Sequence, residues 1–483
     1  MGLGWILPKA TDVSTSFARQ PAPTCDCWGV AQVTIDMLPE VVLLEIFDFY
    51  VDKAQAWRTL VHVCQKWRIV VFGSPRRLDL LLHCNARTPV REILDVWPPL
   101  PIVIRHSYEK WGDDNIVAAL EHNNRIYELA LWRISSSQFE NVLAAMQQPF
   151  PELTDMLLQL ADETAPVVPD SFLGGFAPGP RLESLYLDHI PFPGLPKLLV
   201  SSNHLLHLTL WRIPHSGYFS PEEMVTSLSV LTKLGRLAIG FESPRSRPVR
   251  ENQRSPPPTR ILLPVLTQLS FKGSSEYLDN LVAQIDAPLL NYSDMTLFHQ
   301  LTFDTPQLTQ FISRIRKFKA NDEAHVAFSR SYVSITLSEP LYGVLELKIS
   351  CQQSDWQLSS LTQVCNSSFL QTLTPTVERL YIRSGFPLPH WQDDIEHSQW
   401  LELLHPFTAV KDLHISPTFL PHIVPALQVL VGERAIEVLP ALRTLFLDEP
   451  LASRPVEEII GQFVAARRLA SHPIAVSYQG FEE

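Results

Sequence analysis

The sequence predicts an α/β protein in which an all-helical N-terminal module precedes an irregular solenoid of strand–helix repeats, with a parallel sheet on the concave face and helices on the convex face. Three observations predict this fold. Two amphipathic segments lie between residues 38 and 72, a short apolar motif returns every 23 to 33 residues from 126 to 442, and a proline precedes six of its copies. With 46% hydrophobic residues among 483, the chain has ample material for such a core.

The N-terminal module begins with an amphipathic segment at 38–50. Pro39 suits the first turn of a helix, where its missing N–H costs nothing, and Val42, Ile46 and Phe49 follow at helical spacing. The second segment, 56–72, carries its apolar residues along one stripe, which predicts a single helix that ends before Ser74-Pro75. A unit of two such helices is marginal alone and gains stability from a partner.

The same segments resemble an F-box. A Leu-Pro pair, an apolar run and an Ile-Phe pair are followed by Val-Cys-x-x-Trp-Arg, and the continuation to about residue 105 is similar to F-box proteins that are numerous in mushroom-forming fungi. The segment 52–57 departs from the family, whose members usually have a leucine-rich entry to the second helix. The matching positions are Leu38, Pro39, Ile46, Phe47, Val63, Cys64, Trp67 and Arg68.

The resemblance implies a substrate-recognition subunit of an SCF-type E3 ubiquitin ligase. In such a complex the F-box docks on a Skp adaptor, which links it to the cullin and RING subunits, and the rest of the chain holds a target protein. The resemblance therefore implies a non-catalytic subunit. We expect the adaptor-binding residues, which also build the core of the small module, to be Leu38, Pro39, Ile46, Phe47, Val63, Cys64 and Trp67.

Beyond residue 105 the chain repeats the pattern apolar-x-x-apolar-x-apolar. Proline stands two residues before the motif in six copies, where it ends the preceding helix and is tolerated at the start of a strand. Two weak copies start at Leu290, with the polar Ser293 in the middle, and at Ile315. Ten clear copies start at residues 126, 153, 182, 205, 234, 266, 344, 377, 410 and 442.

Amphipathic stretches of helical length separate these motifs. Ser137-x-x-Glu140 and Ser220-x-x-Glu223 predict capping boxes at the start of two helices. A repeat of this length with L-x-x-L-x-L is typical of a leucine-rich-repeat solenoid, in which stacked units bury a continuous core. Isoleucine replaces the usual Asn or Cys of the strand turn in several copies, so the repeats are irregular.

These patterns divide the chain into a disordered N-terminal lead at 1–34, the F-box at 35–75, a connector at 76–119 that packs onto the first repeats, and the solenoid at 120–483. The segment SPRSRPVRENQRSPPPTR, at 243–260, is interpreted as a solvated loop inserted between repeats. A phosphorylation-sensitive basic arm is the functional alternative for this loop.

The concave face of the solenoid is the predicted target-binding surface. Residues between the apolar positions of each strand point away from the core, and aromatic and arginine side chains are enriched at binding hot spots. The alternative is that each is a scattered surface residue that covers a neighbour. The candidates are Trp132, Tyr186, Trp211, Arg379, Tyr381, Arg383, His414 and Phe446.

Composition and motifs bear on the remaining function classes. The net charge of −12 argues against nucleic-acid binding, and no apolar window is long enough to span a membrane. The six cysteines form no regular framework, which indicates a reduced chain in the cytoplasm or nucleus. No nucleotide, metal or nucleophile motif occurs, so we expect no cofactor and no metal. A non-ligase leucine-rich-repeat scaffold for protein–protein interaction remains the alternative function.

Overall fold

The computed structural model divides into two compact units, Met1–Gly73 and Ser74–Glu483. The expected lead at 1–34 and most of the expected inserted loop, 245–259, lie outside the residues that the structure describes. The described residues are 35–50, 56–73, 80–84, 86, 89–96, 99–106, 112–162, 164–176, 179–244, 260–299, 303, 305–318, 322–339, 343–351, 354–385, 397–430, 434, 436–447 and 454–478.

The first unit contains three short helices, α1 (Glu40–Tyr50), α2 (Ala56–Val61) and α3 (Gln65–Gly73). The single helix expected at 56–72 is wrong, because the chain turns at residues 62–64 and starts again. The Sγ atom of Cys64 accepts a hydrogen bond from the Trp67 N–H at 3.4 Å, which caps α3 as a serine would. The core of this unit is formed by Leu43, Phe47, Leu60, Val61, Val70 and Val71.

The second unit is built around one large sheet. Sixteen of the described strands form it, and all neighbours in it are parallel except at one strand. The strands are β1 (Leu80–His83), β2 (Ile102–His106), β3 (Ile126–Ile134), β4 (Asp155–Leu160), β5 (Ser184–Asp188), β6 (His207–Ile213), β7 (Arg236–Phe241), β8 (Ile261–Leu262), β9 (Gln268–Gly273), β10 (Ile285–Asp286), β11 (Tyr292–Phe298), β12 (Glu323–Phe328), β13 (Tyr332–Glu339), β14 (Gly343–Ser350), β15 (Arg379–Ser384), β16 (Asp412–Ile415), β17 (Thr444–Leu447) and β18 (Ala475–Tyr478).

Helices connect most of these strands, and many of them pack on the next helix along the chain. Such a layer over a parallel sheet is the arrangement that strand–helix repeats produce. The helices of this unit are α4 (Val90–Val96), α5 (Asp113–Leu120), α6 (Ser136–Ala145), α7 (Leu195–Val200), α8 (Pro221–Leu228), α9 (Ser275–Ala283), α10 (Pro306–Arg314), α11 (Ser354–Cys365), α12 (Ser368–Gln371), α13 (His397–Leu404), α14 (Leu420–Gln428) and α15 (Arg454–Leu469).

The last two apolar positions of all ten clear copies lie on strands of the large sheet, and so do Ser293 and Met295 of the weak copy that starts at Leu290, on β11. Along each strand, the last two apolar positions of the motif are buried on the side that faces the helices. The strand order is β1-β2-β3-β4-β5-β6-β7-β9-β11-β14-β13-β12-β15-β16-β17-β18, and β8 pairs with β10 in a small separate sheet.

The repeat expected at Ile315 is wrong. Ile315 and Phe318 are buried in the turn after α10, and the sheet instead gains the hairpin β12–β13, in which β13 runs antiparallel to both of its neighbours. An apolar-x-x-apolar spacing also fits a helical turn, so the motif alone cannot separate the two. The two hairpin strands instead alternate between buried and less buried residues except at Ser334, with Val326 and Ile335 among their buried positions.

The sheet begins earlier than the expected boundary at residue 120. Strands β1 and β2 lie within the segment expected to be a connector; they pair in parallel with each other, and β2 pairs in parallel with β3. The repeat array therefore extends over much of 76–119 as well.

One predicted capping box is placed correctly and the other is shifted. Ser220 and Glu223 form reciprocal hydrogen bonds at the start of α8. At α6 the cap is Ser135 with Gln138, rather than Ser137 with Glu140. Three serines in a row offer three possible starts, and the extended backbone of Ser135 selects the first.

Candidate partner-binding surface

We call the side of the large sheet that faces away from the helices the open face. Its side chains alternate with the buried ones along each strand, and register aligns them into rows that cross the sheet. The structure places all eight candidate target-binding residues on the open face, in two separate clusters: the first has Trp132, Tyr186 and Trp211 on β3, β5 and β6, and the second has Arg379, Tyr381, Arg383, His414 and Phe446 on β15, β16 and β17.

The second cluster is a continuous stack of rings, which we call the ring ladder: His325, Tyr381, His414 and Phe446. These residues are register partners on β12, β15, β16 and β17. The ring centroids of His325 and Tyr381 are 4.5 Å apart, and the next two steps along the ladder are 4.3 Å each. Interplanar angles of 4°, 20° and 4° make the rings nearly parallel. The ring faces are therefore occupied by one another, and the ladder offers ring edges to a partner.

His325 was missed by the sequence analysis because its strand belongs to the unexpected hairpin. The signal that could have found it is the alternation Ala324, Val326, Phe328, which places His325 on the opposite side of a strand. His325 lies beside Tyr381 because β12 pairs with β15, although β13 and β14 stand between them in sequence. The repeat spacing does not encode that pairing.

The two histidines of the ladder are neutral near pH 7. Burial lowers the pKa of His414 to about 4, and Arg383 and Arg379 add to that effect against the opposing Asp412. Burial also lowers the pKa of His325, opposed by its hydrogen bond with Glu323. The ladder is thus an uncharged aromatic strip, although three of its four rings, those of His325, Tyr381 and His414, are titratable.

Charged side chains border the ladder. The guanidinium carbon of Arg383 lies 4.7 Å from the centroid of the Tyr381 ring, a cation–π contact. Arg379 donates to Glu323 at 2.9 Å across the β12–β15 pair. These arginines have a fixed place beside the rings, and a rigid mixture of aromatic and arginine side chains is typical of a binding hot spot.

The first cluster surrounds a buried carboxylate. Asp188 accepts hydrogen bonds from the Arg212 Nε at 2.6 Å and from the Gln159 amide at 2.8 Å. The rings of Trp132 and Tyr186 lie 5.9 Å apart, centroid to centroid. Trp132 is exposed, so this cluster presents a large aromatic surface above a buried carboxylate whose oxygens accept hydrogen bonds.

A repeated backbone bulge positions the two tryptophans. The sequence Leu-Trp-Arg-Ile ends both β3 and β6, and in each copy the arginine adopts a positive φ, 51° at Arg133 and 47° at Arg212. Strand register shifts at both places. Trp211 lies over Gly240 on the next strand, where a Cβ would stand 2.2 Å from the indole. Glycine therefore permits this position of the ring.

A charged stretch separates the two clusters. Lys348 on β14 bridges Asp294 at 3.3 Å and Glu346 at 3.0 Å. Six strand spacings, roughly 29 Å, lie between β6 and β12. The sequence predicts a single binding face, whereas the structure has two separate aromatic patches. The distance between them is one that an extended partner could span.

Some of the expected adaptor-binding residues lie in the core of the first unit, and others lie on its surface. Phe47 is buried and packs against Trp67 with centroids 4.8 Å apart. Pro39 is exposed, and so are Ile46, at 42%, and Val63, at 53%. Leu38 and Cys64 are half-buried, and the Leu38 carbonyl accepts a hydrogen bond from the Lys66 ammonium at 3.0 Å.

No group of three or more His, Cys, Asp or Glu side chains among the described residues could hold a metal ion. Within the same part of the chain, none of the helices combines the length and apolar character needed to cross a bilayer. Cys64, Cys84, Cys351 and Cys365 are not joined in disulfides, and burial raises the pKa of Cys84 and of Cys365 to about 12, which makes these two poor nucleophiles.

The class of protein follows from the repeats. One large, mostly parallel sheet, L-x-x-L-x-L strands and connecting helices give an α/β solenoid of leucine-rich-repeat character. No protein-family model and no curated protein matches the chain. Among solved structures, it is similar to the leucine-rich repeat-containing protein LegL7 from Legionella pneumophila, with 12% identity over 80% of this chain and 97% of that chain, at a TM-score of 0.28.

Proposed function

We propose that this protein is the substrate-recognition subunit of an SCF-type E3 ubiquitin ligase. Its first unit would dock, as an F-box, on a Skp adaptor and through it on the cullin and RING subunits, in the cytoplasm or nucleus. Its solenoid would hold a target protein on the open face. The chain itself would make no bond and need no cofactor.

The exposed apolar surface of the first unit is the observation that carries the proposal. Val42 and Ile46, one turn apart on α1, are exposed, and Val63 between α2 and α3 is exposed as well. A small module that leaves large aliphatic side chains in water while burying Leu43 and Phe47 behaves as half of an interface. Of the exposed side chains, Ile46 and Val63 stand at positions at which the sequence resembles an F-box.

The open face supports the second half of the proposal. Its two aromatic patches present tryptophan, tyrosine and arginine side chains, several of which are held by ring stacking, a cation–π contact or an ion pair, and this lowers the side-chain entropy lost on binding. The roughly 29 Å between them suits a macromolecule rather than a small ligand. The proposed role is proximity: binding raises the effective concentration of target lysines at the ubiquitin-loaded enzyme.

The test is co-purification of the full chain with a Skp adaptor and cullin. The double substitution Ile46→Asp with Val63→Asp removes two exposed aliphatic groups and places two charges in the interface. We expect adaptor binding to weaken by more than about 100-fold, since each lost aliphatic burial alone is worth about 1.5–3 kcal/mol. Leu38→Ala with Pro39→Ala, at the start of the module, should also abolish binding.

Val230→Asp is the matched control, because Val230 is an exposed valine in a turn of the solenoid. It should leave adaptor binding unchanged, and all variants should keep the circular dichroism spectrum of the wild type. Failure of the wild-type chain to bind any Skp adaptor, or binding that survives both double substitutions, would refute the ligase assignment. A solenoid that still captures its target without the adaptor would then favour the non-ligase scaffold.

A further inference from the structure

The last strand of the large sheet, β18, has a partner on one side only within the described part of the chain. The Ala475 N–H donates to the Arg443 carbonyl at 2.8 Å, toward β17. Because backbone groups alternate sides along a strand, the N–H groups of Val476 and Tyr478 point away from β17. Such an unpaired edge is a template for one more strand.

Side chains at this end of the sheet are also incompletely covered. Leu445 and Leu447 on β17 are buried, whereas their register partners on β18, Val476 and Tyr478, are not, and Tyr478 is 52% exposed. The opposite end differs, because Leu80, Leu81 and Leu82 of the edge strand β1 are all buried. Of the two ends of this sheet, as far as the structure describes them, the β18 end alone therefore combines an open backbone edge with uncovered apolar positions.

Helix α15 presents a self-complementary ridge at the same end. The Gln462 side chain accepts a hydrogen bond from Gln428 on α14 at 3.1 Å, which identifies the side of α15 that faces the preceding repeat. The other side carries four exposed residues at helical spacing, Glu457, Gly461, Ala465 and Arg468. A Cβ at Gly461 would meet nothing within 4 Å. The ridge is flat, acidic at one end and basic at the other.

We propose that this end of the solenoid is an interface between two copies of the chain. Strand β18 pairs antiparallel with β18 of the second copy, and α15 packs antiparallel on its own copy, both about one two-fold axis perpendicular to the sheet. Glu457 then lies opposite Arg468 of the second copy, and Gly461 lies opposite Ala465. In the antiparallel arrangement the acidic end of one ridge meets the basic end of the other. This charge complementarity favours a second copy of the chain as the partner.

The arrangement is closed, because a two-fold contact uses the same patch on both copies and leaves no β18 edge unpaired. A head-to-tail contact of β18 with β1 would instead build an open filament, and the buried side chains of β1 offer no comparable surface. The dimer would carry two open faces and two copies of the first unit. This inference is independent of the proposed ligase function.

The mass of the full chain in solution tests the proposal, measured by light scattering and sedimentation over about a hundredfold range of concentration. We expect a dimer that dissociates on dilution. Val476→Pro removes an outward N–H and is tolerated on an edge strand, so it should give a monomer. Glu457→Arg and Arg468→Glu should each weaken dimerisation about tenfold, since each contact occurs twice. The double substitution should restore it.

Glu402→Arg, at an exposed carboxylate on α13, is the matched charge control and should leave the dimer unchanged. The charge exchange keeps the test informative even where proline disturbs folding. A wild-type monomer at every concentration would overturn the proposal. So would a dimer that resists Val476→Pro, a double charge exchange that stays as weak as the single reversals, or a mass that grows without limit.

Discussion

Arg467 is a fully buried arginine, and its replacement gives the sharpest stability prediction. Its Nη2 donates to the carbonyls of Leu439, Pro440 and Leu442 at 3.2, 3.4 and 3.3 Å. Those carbonyls belong to the turn that leads into β17, and Leu439 in it has a φ of 52°, a costly value for leucine. Arg467, on the buried side of α15, thus holds this strained turn in place.

The size of the effect follows from two opposing costs. Arg467→Met leaves buried carbonyls unpaired, at about 1–3 kcal/mol each when counted singly. The three share one nitrogen, so the losses do not add fully. The substitution also removes the cost of burying the positive charge. That cost is the reason why burial lowers the pKa of Arg467. We expect a net loss of about 2–4 kcal/mol in the free energy of unfolding.

Urea unfolding and hydrogen exchange measure this change. Exchange should accelerate in β17 and α15 before it does so in β3–β7, because repeats contact mainly their neighbours. Arg316→Met is the matched control, since Arg316 is exposed in the turn after α10; it should cost less than about 0.5 kcal/mol. Equal stability of the two methionine variants would show that the buried contacts do not hold the turn.

Three further predictions concern single side chains. The folded pKa of His414 is about 4, below the ordinary 6.5, so the unfolded chain binds a proton first on acidification. The free energy of unfolding should therefore fall from pH 6.5 to pH 4. His414→Phe should reduce that fall, as measured by urea unfolding at a series of pH values. Ser135→Ala should cost about 1 kcal/mol and Ser137→Ala almost nothing in thermal melts, since only Ser135 caps α6; the reverse order would refute the observed cap. Ser293→Ala should raise the urea midpoint by removing a buried hydroxyl that lacks a hydrogen-bond partner; a loss of about 1 kcal/mol would show that this hydroxyl is satisfied.

The repeating strands could be predicted because their sequence signal and their physical role coincide. A unit that buries its apolar side only on neighbouring units must repeat the same apolar spacing, and ten clear copies do so. Even the weak copy at Leu290 forms a strand, because its register partners supply Leu269 and Leu345 on both sides of Ser293. Spacing was informative wherever a strand depended on its neighbours in sequence.

Other features depend on contacts that the spacing does not encode. The break at Cys64 uses a sulfur cap inside a continuous apolar stripe, so periodicity alone predicts one helix. The bulges at Arg133 and Arg212 require a positive φ at arginine, which residue type disfavours. The repeated Leu-Trp-Arg-Ile was the only visible sign that these two strand ends share a special backbone.

The ring ladder shows how a predictable and an unpredictable element together build one surface. Tyr381, His414 and Phe446 occupy the same position of three successive motifs, so parallel register stacks them without any special contact. His325 joins them only because the hairpin carries β12 across to β15 and leaves β14 beside β11. Without the hairpin, β14 would be the natural neighbour of β15, and the acidic Glu346 would adjoin Tyr381 instead of a neutral imidazole. The hairpin therefore extends the aromatic strip by one ring and separates it from the charged stretch around Lys348, which makes the second cluster a distinct binding patch.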